Sequence, residues 1–403
     1  MSVAQYVNAG GALDWLMFDR LALLNQEKLA RISSGNPVLD LSMINPDIEP
    51  PRLIIDKLVE SSLRADRHRY AVSRGVRKLR EAFALKYAQA FEVRLDPEHE
   101  ICVTMGAKEA IVHALTCLAA PGARALVASP CYPAHLSALH LAGFTYDFFR
   151  LGDEPCMLEQ IEASLGTGRY KVLLMNFPNN PTGITVTPAF YERLHRAAER
   201  SNVFLLNDFV YGEMQYEGQA PSLLSVRTER AAEVYSLSKA YSVPGWRVGA
   251  LAGSSELVRA LGRLKAQIDY GIFLPIQEAA AAALAAGPEL IRPLRERYRR
   301  RAATLASGLN KLGWTVAGPA AGASVWAQAP SELCSGNADV LALELLRREG
   351  VMLLPGGVFG EDHCAFIRFA LVVSEEKLHG VISTLRAFSN WKRGVLQHAC
   401  ANS

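Results

Sequence analysis

Between residues 101 and 252 the chain alternates short apolar runs with stretches of helical periodicity, and this alternation narrows the available folds more than any other feature. The runs lie at 101–105, 123–129, 170–177, 203–207, 232–236 and 248–252 and are apolar on both faces. Strands of that kind must be covered on both sides, which is the condition of a largely parallel sheet between helical layers. Helices are expected at 107–119, near 133–141 and at 188–201. Ahead of them, Val76, Leu79, Phe83 and Tyr87 recur at helical spacing and mark a helix over 75–91. Asn45-Pro46-Asp47 with Pro50-Pro51 must be loop, because proline lacks the N–H that regular structure needs. An Arg-rich helix over 288–310 opens a second region. It continues with short strands at 315–316, 325–329 and 366–371 and helices at 338–349 and near 375–390. The expected class is α/β, with a large domain over 51–287 and a smaller α+β domain over 288–403. Residues 1–50, an arm and then a helix around 20–33, would belong partly to the small domain. Residues 391–403 give no reading.

Composition limits the function. The chain has 403 residues, which suggests about two to three domains. Lys plus Arg total 43 and Asp plus Glu 40, a net +3, so neither a polybasic arm nor an acidic disordered chain is the theme. No apolar run approaches the ~18 residues of a membrane span. The first twenty residues lack a basic segment followed by an apolar one, so a cytoplasmic enzyme is expected. The seven cysteines are scattered without a C-x-x-C, and His68, His113, His135, His140 and His363 have no ligand spacing with them. No metal is expected.

The chemistry concentrates in Ser236-Leu237-Ser238-Lys239-Ala240-Tyr241-Ser242-Val243-Pro244-Gly245-Trp246-Arg247. Lysine forms Schiff bases with carbonyls, and serine and arginine are natural phosphate ligands. Pyridoxal 5′-phosphate (PLP) needs both an aldehyde partner and a phosphate cup. Asn179-Asn180-Pro181-Thr182-Gly183 follows one apolar run and Asn207-Asp208-Phe209-Val210-Tyr211 the next. Loops after parallel strands face ligand. A carboxylate there can pair with a pyridinium nitrogen, and a tyrosine three residues on can reach the ring hydroxyl. Gly106-Ala107-Lys108-Glu109 closes a strand and opens a helix, which makes its backbone N–H groups an anion site.

With these motifs the chain resembles the fold type I, PLP-dependent class I aminotransferases over roughly 35–390. It is most similar to the alanine and diaminopimelate branch, on Tyr70-Ala71-Val72-Ser73-Arg74-Gly75, the Lys239 segment and Asp269-Tyr270-Gly271. The resemblance implies transamination between an L-amino acid and a 2-oxo acid, in ping-pong order. It makes Lys239 the Schiff-base lysine and proton shuttle and Asp208 the pyridinium partner, while Asn180 and Tyr211 bond the ring hydroxyl. Tyr132 would stack on the ring. Gly106, Ala107, Lys108, Ser236, Ser238 and Arg247 would form the phosphate cup, and Arg368, in Phe366-Ile367-Arg368-Phe369, would bind the substrate carboxylate. Tyr70 would reach the phosphate of a second subunit and residues 267–273 would also cross, which implies a homodimer.

One motif departs. The family places glycine where this chain has Ile44, in Leu41-Ser42-Met43-Ile44-Asn45-Pro46. A β-branched residue does not readily take positive φ and fills space near the substrate. Either Ile44 merely lines the pocket or the reaction is altered. The similar threonine-phosphate decarboxylase branch also reads Ile-Asn-Pro, so decarboxylation, or replacement or cyclisation at Cβ or Cγ, stays open. Asp269 could greet a cationic substrate or stand solvated. Cys131 reads as inert filler. Arg292, Arg295, Arg297, Arg299, Arg300 and Arg301 read as a solvated helix face, and no nucleic-acid partner is expected.

Overall fold

The computed structural model describes residues 19–226 and 228–401, so the expected arm over 1–18 lies outside the described residues. The strands in chain order are β1 Leu39–Asp40, β2 Ile101–Thr104, β3 Arg124–Ser129, β4 Thr145–Arg150, β5 Val172–Met175, β6 Phe204–Asp208, β7 Ala231–Ser236, β8 Gly249–Gly253, β9 Thr315–Val316, β10 Ser324–Gln328, β11 Val351–Met352, β12 Leu354–Pro355 and β13 Phe366–Ala370. Seven of them form one sheet in the order β2-β8-β7-β6-β5-β3-β4. All neighbours run parallel except β8, which is antiparallel to both β2 and β7. Every residue of β2, β5, β7 and β8 is buried.

Alternation along the strands feeds two apolar layers. Val103, Leu126, Leu173 and Leu205 join one core, and Cys102, Val127, Leu174, Leu206 and Leu251 the other. The intervening helices, among them Ala107–Leu118, Pro133–Leu141, Glu154–Leu165 and Pro188–Ser201, supply the cover. Side chains cap several of them: Asp153 accepts from the Cys156 N–H at 2.9 Å and Thr187 from the Phe190 N–H at 3.2 Å.

A second, four-stranded antiparallel sheet runs β12-β13-β10-β9. The helix Arg292–Lys311 packs on it and on the last helix, Glu375–Ala401. β1 pairs in parallel with β11, so the N-terminal segment is tied to this part of the chain. The expected strands and helices are present, with differences that have physical causes. β5 is shorter than 170–177 because the chain turns at Phe177-Pro178. β4 was not expected: as the sheet edge it is mostly exposed and carries no apolar run. The helices Arg52–Ser62, Glu154–Leu165 and Ser255–Ile268 add to those expected, and the last helix continues through 391–401. The arginine run is also corrected at one point. Arg301 is 3% exposed, and its guanidinium binds Asp47 at 2.7 and 2.8 Å and the Leu371 carbonyl at 2.8 Å. It fastens the 45–51 loop rather than facing water.

Candidate active site

Parallel strands present their C-terminal ends along one sheet edge, and there a crevice forms. The segments after β2, β3, β5, β6 and β7 carry Gly106, Tyr132, Asn180, Tyr211 and Lys239, with Asp208 ending β6. Because β8 is reversed, it begins at this same edge, immediately after Arg247 and Val248.

Ser236 ends β7 and caps the one-turn helix Leu237–Ala240, accepting from the Ser238 N–H at 3.2 Å and donating to the Ser238 hydroxyl at 3.0 Å. That turn aims Lys239 inward, where its Nζ donates to the Ile44 carbonyl. Burial pushes the Lys239 amine down to about 8, helped by the nearby charges of Arg368, Arg247 and Lys108. Arg247 sits at φ 55° and donates to the Pro244 carbonyl at 3.0 Å. Its guanidinium lies against Gly106, where a Cβ would come within 2.4 Å of Nη2 and where φ is +77°. Only glycine permits this approach. Gly106 caps the helix Ala107–Leu118, so the Ala107 and Lys108 N–H groups have no acceptor within the helix. A guanidinium, two hydroxyls and these N–H groups make a donor set for a dianion.

Asp208 is 5% exposed, and its Oδ2 lies 2.8 Å from His135 Nε2. Its other oxygen accepts from the Val210 N–H at 3.2 Å. Arg368, 4% exposed, donates to Asn180 Oδ1 at 3.1 Å and to the Ser42 carbonyl, and its carbon Cζ lies 5.2 Å from the centre of the Phe359 ring. Its Nε is buried without a partner. Burial lowers the Arg368 pKa, while it raises that of Tyr211 beside it. Tyr132 packs edge-on to His135 at 5.5 Å and against the cluster of Trp326, Leu354, Val358 and Phe359.

Within one chain the structure thus brings together Lys239, Asp208, Asn180, Tyr211, Tyr132, Arg368, Arg247, Gly106, Ala107, Lys108, Ser236 and Ser238. Tyr70 is different: it is 86% exposed, and its ring meets Tyr270 at 4.7 Å. Among the described residues the non-glycine positions with positive φ are Glu92, Asn202, Ser242, Arg247 and Ser335; Ile44 is not one of them, so isoleucine stands there without backbone strain. Asp269 is part-buried and paired rather than standing free in solvent: it binds Lys265 Nζ at 2.9 Å and the Gly271 N–H at 2.6 Å. Cys131 is 2% exposed, and burial and Asp208 push its thiol pKa up, as fits filler. Sequence reasoning missed His135 as the partner of Asp208 and Ser42 as that of Arg368. His135 lay in plain view three residues after Tyr132, but its partner is 73 positions away. Among the described residues no group of three or more His, Cys, Asp or Glu side chains could hold a metal.

The model of "Aminotransferase class I and II" matches residues 36–385. The chain belongs to this family. It is 34% identical over 365 residues to the glutamate-pyruvate aminotransferase AlaC of Escherichia coli, covering 89% of each chain. It is 33% identical over 386 residues to an LL-diaminopimelate aminotransferase of Nitratidesulfovibrio vulgaris, covering 92% of this chain and 99% of the other. Among solved structures, an aspartate aminotransferase of Thermotoga maritima superposes with a TM-score of 0.86 at 26% identity, covering 94% of this chain and 99% of that one. The protein is therefore a PLP-dependent aminotransferase of fold type I, in the branch of the alanine and diaminopimelate enzymes. The residues fit the cofactor: a buried amine for its aldehyde, the dianion donor set around Gly106 for its phosphate, and a buried carboxylate for its ring nitrogen.

Proposed function

We propose that this enzyme moves the α-amino group of an L-amino acid to a 2-oxo acid in ping-pong order, with Lys239 as the group that binds the cofactor and moves the proton. The observation that carries the reading is the Lys239 amine, buried and facing Arg368, Arg247 and Lys108, with its pKa brought down to about 8. Bound PLP supplies an electron-withdrawing ring that makes the substrate Cα–H acidic and carries nitrogen between the two substrates. Everything else falls to side chains. Lys239 Nζ has a neutral form within reach near neutral pH, so it can take a proton and return it. Asp208, oriented by His135, would pair with the ring nitrogen. Asn180 and Tyr211 would bond the ring hydroxyl, and Tyr132 would cover the ring. Gly106, Ala107, Lys108, Ser236, Ser238 and Arg247 would hold the phosphate. Arg368, with a buried Nε that lacks a partner, would receive the substrate carboxylate, and Ile44 would line that pocket.

The active unit would be a homodimer. Tyr70, Val72, Tyr270, Phe273 and Met105 are 86, 55, 62, 43 and 40% exposed, an apolar surface that a second copy would cover. From it Tyr70 and the 267–273 segment would reach the partner's site. We assign residues 51–287 to a cofactor domain, 288–403 to a small domain and 1–50 partly to the latter, in a cytoplasmic protein. No helix of the described residues is long and apolar enough to cross a membrane.

Replacing Lys239 with alanine tests the reading. The variant should lose the visible absorbance of bound cofactor and all turnover, with its far-ultraviolet dichroism unchanged. A yellow, fully active Lys239→Ala protein would refute it. Incubating the wild type with an amino-acid panel, with and without an oxo acid, identifies the donor. Product formation that does not require the oxo acid would point instead to decarboxylation, or to replacement or cyclisation at Cβ or Cγ.

A further inference from the structure

Asn207 and Glu233 stand outside the site as described, yet both are 0% exposed. Asn207 is the last residue of β6 to pair with β5, opposite Met175. Beyond it the two backbones part, and the Asn207 side chain takes over. Its Oδ1 accepts from the Phe177 N–H at 2.9 Å and its Nδ2 donates to the Phe177 carbonyl at 3.2 Å. Asn176 reaches the other way: its Nδ2 donates to the Asp208 carbonyl at 2.7 Å, and its Oδ1 accepts from the Asn180 N–H at 2.8 Å. Two amides therefore lash the segment that carries Asn180 to the strand that carries Asp208.

An asparagine amide can turn either way, and only one orientation satisfies Phe177. Glu233, opposite Asn207 on β7, enforces that orientation, together with the Tyr191 hydroxyl, which accepts from the same Nδ2 at 3.3 Å. Its Oε1 accepts from Asn207 Nδ2 at 3.1 Å and from the Leu223 N–H at 2.7 Å, while Oε2 meets the Ser222 hydroxyl at 2.6 Å. Burial pushes this carboxyl up to about 7. In either protonation state Oε1 remains the acceptor, because a proton on Oε2 would face the Ser222 oxygen. The amino end of Asn207 must turn to β7 and its oxygen to Phe177.

We propose that Glu233 is a positioning residue for transamination, acting through the Asn207 amide to fix the spacing between Asp208 and Asn180. This rests on the reading that Asp208 and Asn180 hold opposite sides of the cofactor ring. Glu233 touches neither cofactor nor substrate, and of its contacts to Asn207, Ser222 and Leu223 only the one to Asn207 leads to the segment that carries Asn180.

The test uses holoenzyme and near-isosteric variants that keep the volume of the core. Asn207→Asp keeps the acceptor for Phe177 but sets two carboxylates face to face. We expect kcat to fall about tenfold to a hundredfold, with a shift in the pH midpoint of the visible band and weaker cofactor retention on dialysis. Glu233→Gln should stay within about twofold of wild type, because its amide oxygen can still serve Asn207 and Leu223. Combining the two should recover part of the loss, since glutamine can now donate to the aspartate. Glu233→Leu should lose activity as Asn207→Asp does, and the Asn207→Leu/Glu233→Leu pair should be no worse than either alone. The proposal is overturned if Glu233→Leu keeps wild-type kcat and band midpoint, if the leucine losses add, or if Glu233→Gln fails to rescue Asn207→Asp. Asp208→Asn and Asn180→Ala are run alongside. If those two behave as wild type, the site reading fails; if they lose activity while Glu233→Leu does not, only the role of Glu233 fails.

Discussion

Arg368 binds Asn180 and the Ser42 carbonyl through its two terminal nitrogens, and that grip fixes the plane of the guanidinium. Lysine is a point charge and cannot reproduce a forked, planar contact. Arg368→Lys should therefore raise KM for amino and oxo acid alike by about a hundredfold, the cost of one charge-assisted bidentate contact, as steady-state kinetics with both substrates would show. Lys239 makes a pH prediction. Its pKa is about 8 in the folded chain against an ordinary 10.5, so folding disfavours the protonated amine. The resulting destabilisation is full below pH 8 and vanishes above 10.5. Apoprotein carrying Lys239→Met should melt higher than wild-type apoprotein at pH 7, by of order 3 kcal/mol, and the advantage should shrink as pH rises from 8 to 10.5. Calorimetry across that range checks it. At this scale the sequence was most legible where a chemical group has few uses: a lysine beside two serines and an arginine, or an aspartate at a strand end. His135 and Ser42 were not legible, because each acts through a partner far along the chain.

Elements that are buried on both faces announced themselves, and elements at the rim did not. β2, β5 and β7 are uniformly buried, whereas β4, Thr-Tyr-Asp-Phe-Phe-Arg, mixes exposed and buried positions as an edge strand does. The arginine helix misled at Arg301, because a one-dimensional charge run does not reveal that Asp47 waits inside. Lys265 illustrates how elements are joined. Its side chain is 0% exposed and binds Glu109 in the first turn of the phosphate-site helix and Asp269 at the start of the Tyr270 turn. These contacts, with His113, hold the Glu109 carboxyl down to about 2, although burial works against them. Lys265→Met would leave two carboxylates without their cation. We expect a loss of roughly 3–5 kcal/mol in urea unfolding, with weakened cofactor retention because Glu109 also holds the Met105 N–H.

The molecule as a whole presents Tyr70 and Tyr270 as one outward aromatic pair, and a charge there should oppose a second copy. Tyr270→Asp is expected to shift the protein toward monomer in sedimentation velocity at micromolar concentration and to reduce cofactor occupancy in parallel. A monomeric wild type would remove the basis for that prediction. The α/β class and the order of most helices and strands were legible because the central strands are short, mostly apolar runs between helical stretches. Strand order and the reversal of β8 were not, since pairing partners are not written locally. That reversal has a consequence for how the chain assembles. Ser236 and Gly249 face each other across β7 and β8, and Gly249 also pairs with Thr104. The β7–β8 turn spans only a short stretch of chain, while the parallel pairs must wait for a helix to cross over. Closing a short loop costs less entropy than closing a long one. Lys239 and Arg247 are thus brought to one edge by the shortest connection between paired strands of the sheet, and the cup is completed only when β2 pairs with β8 and brings Gly106, Ala107 and Lys108 beside Arg247.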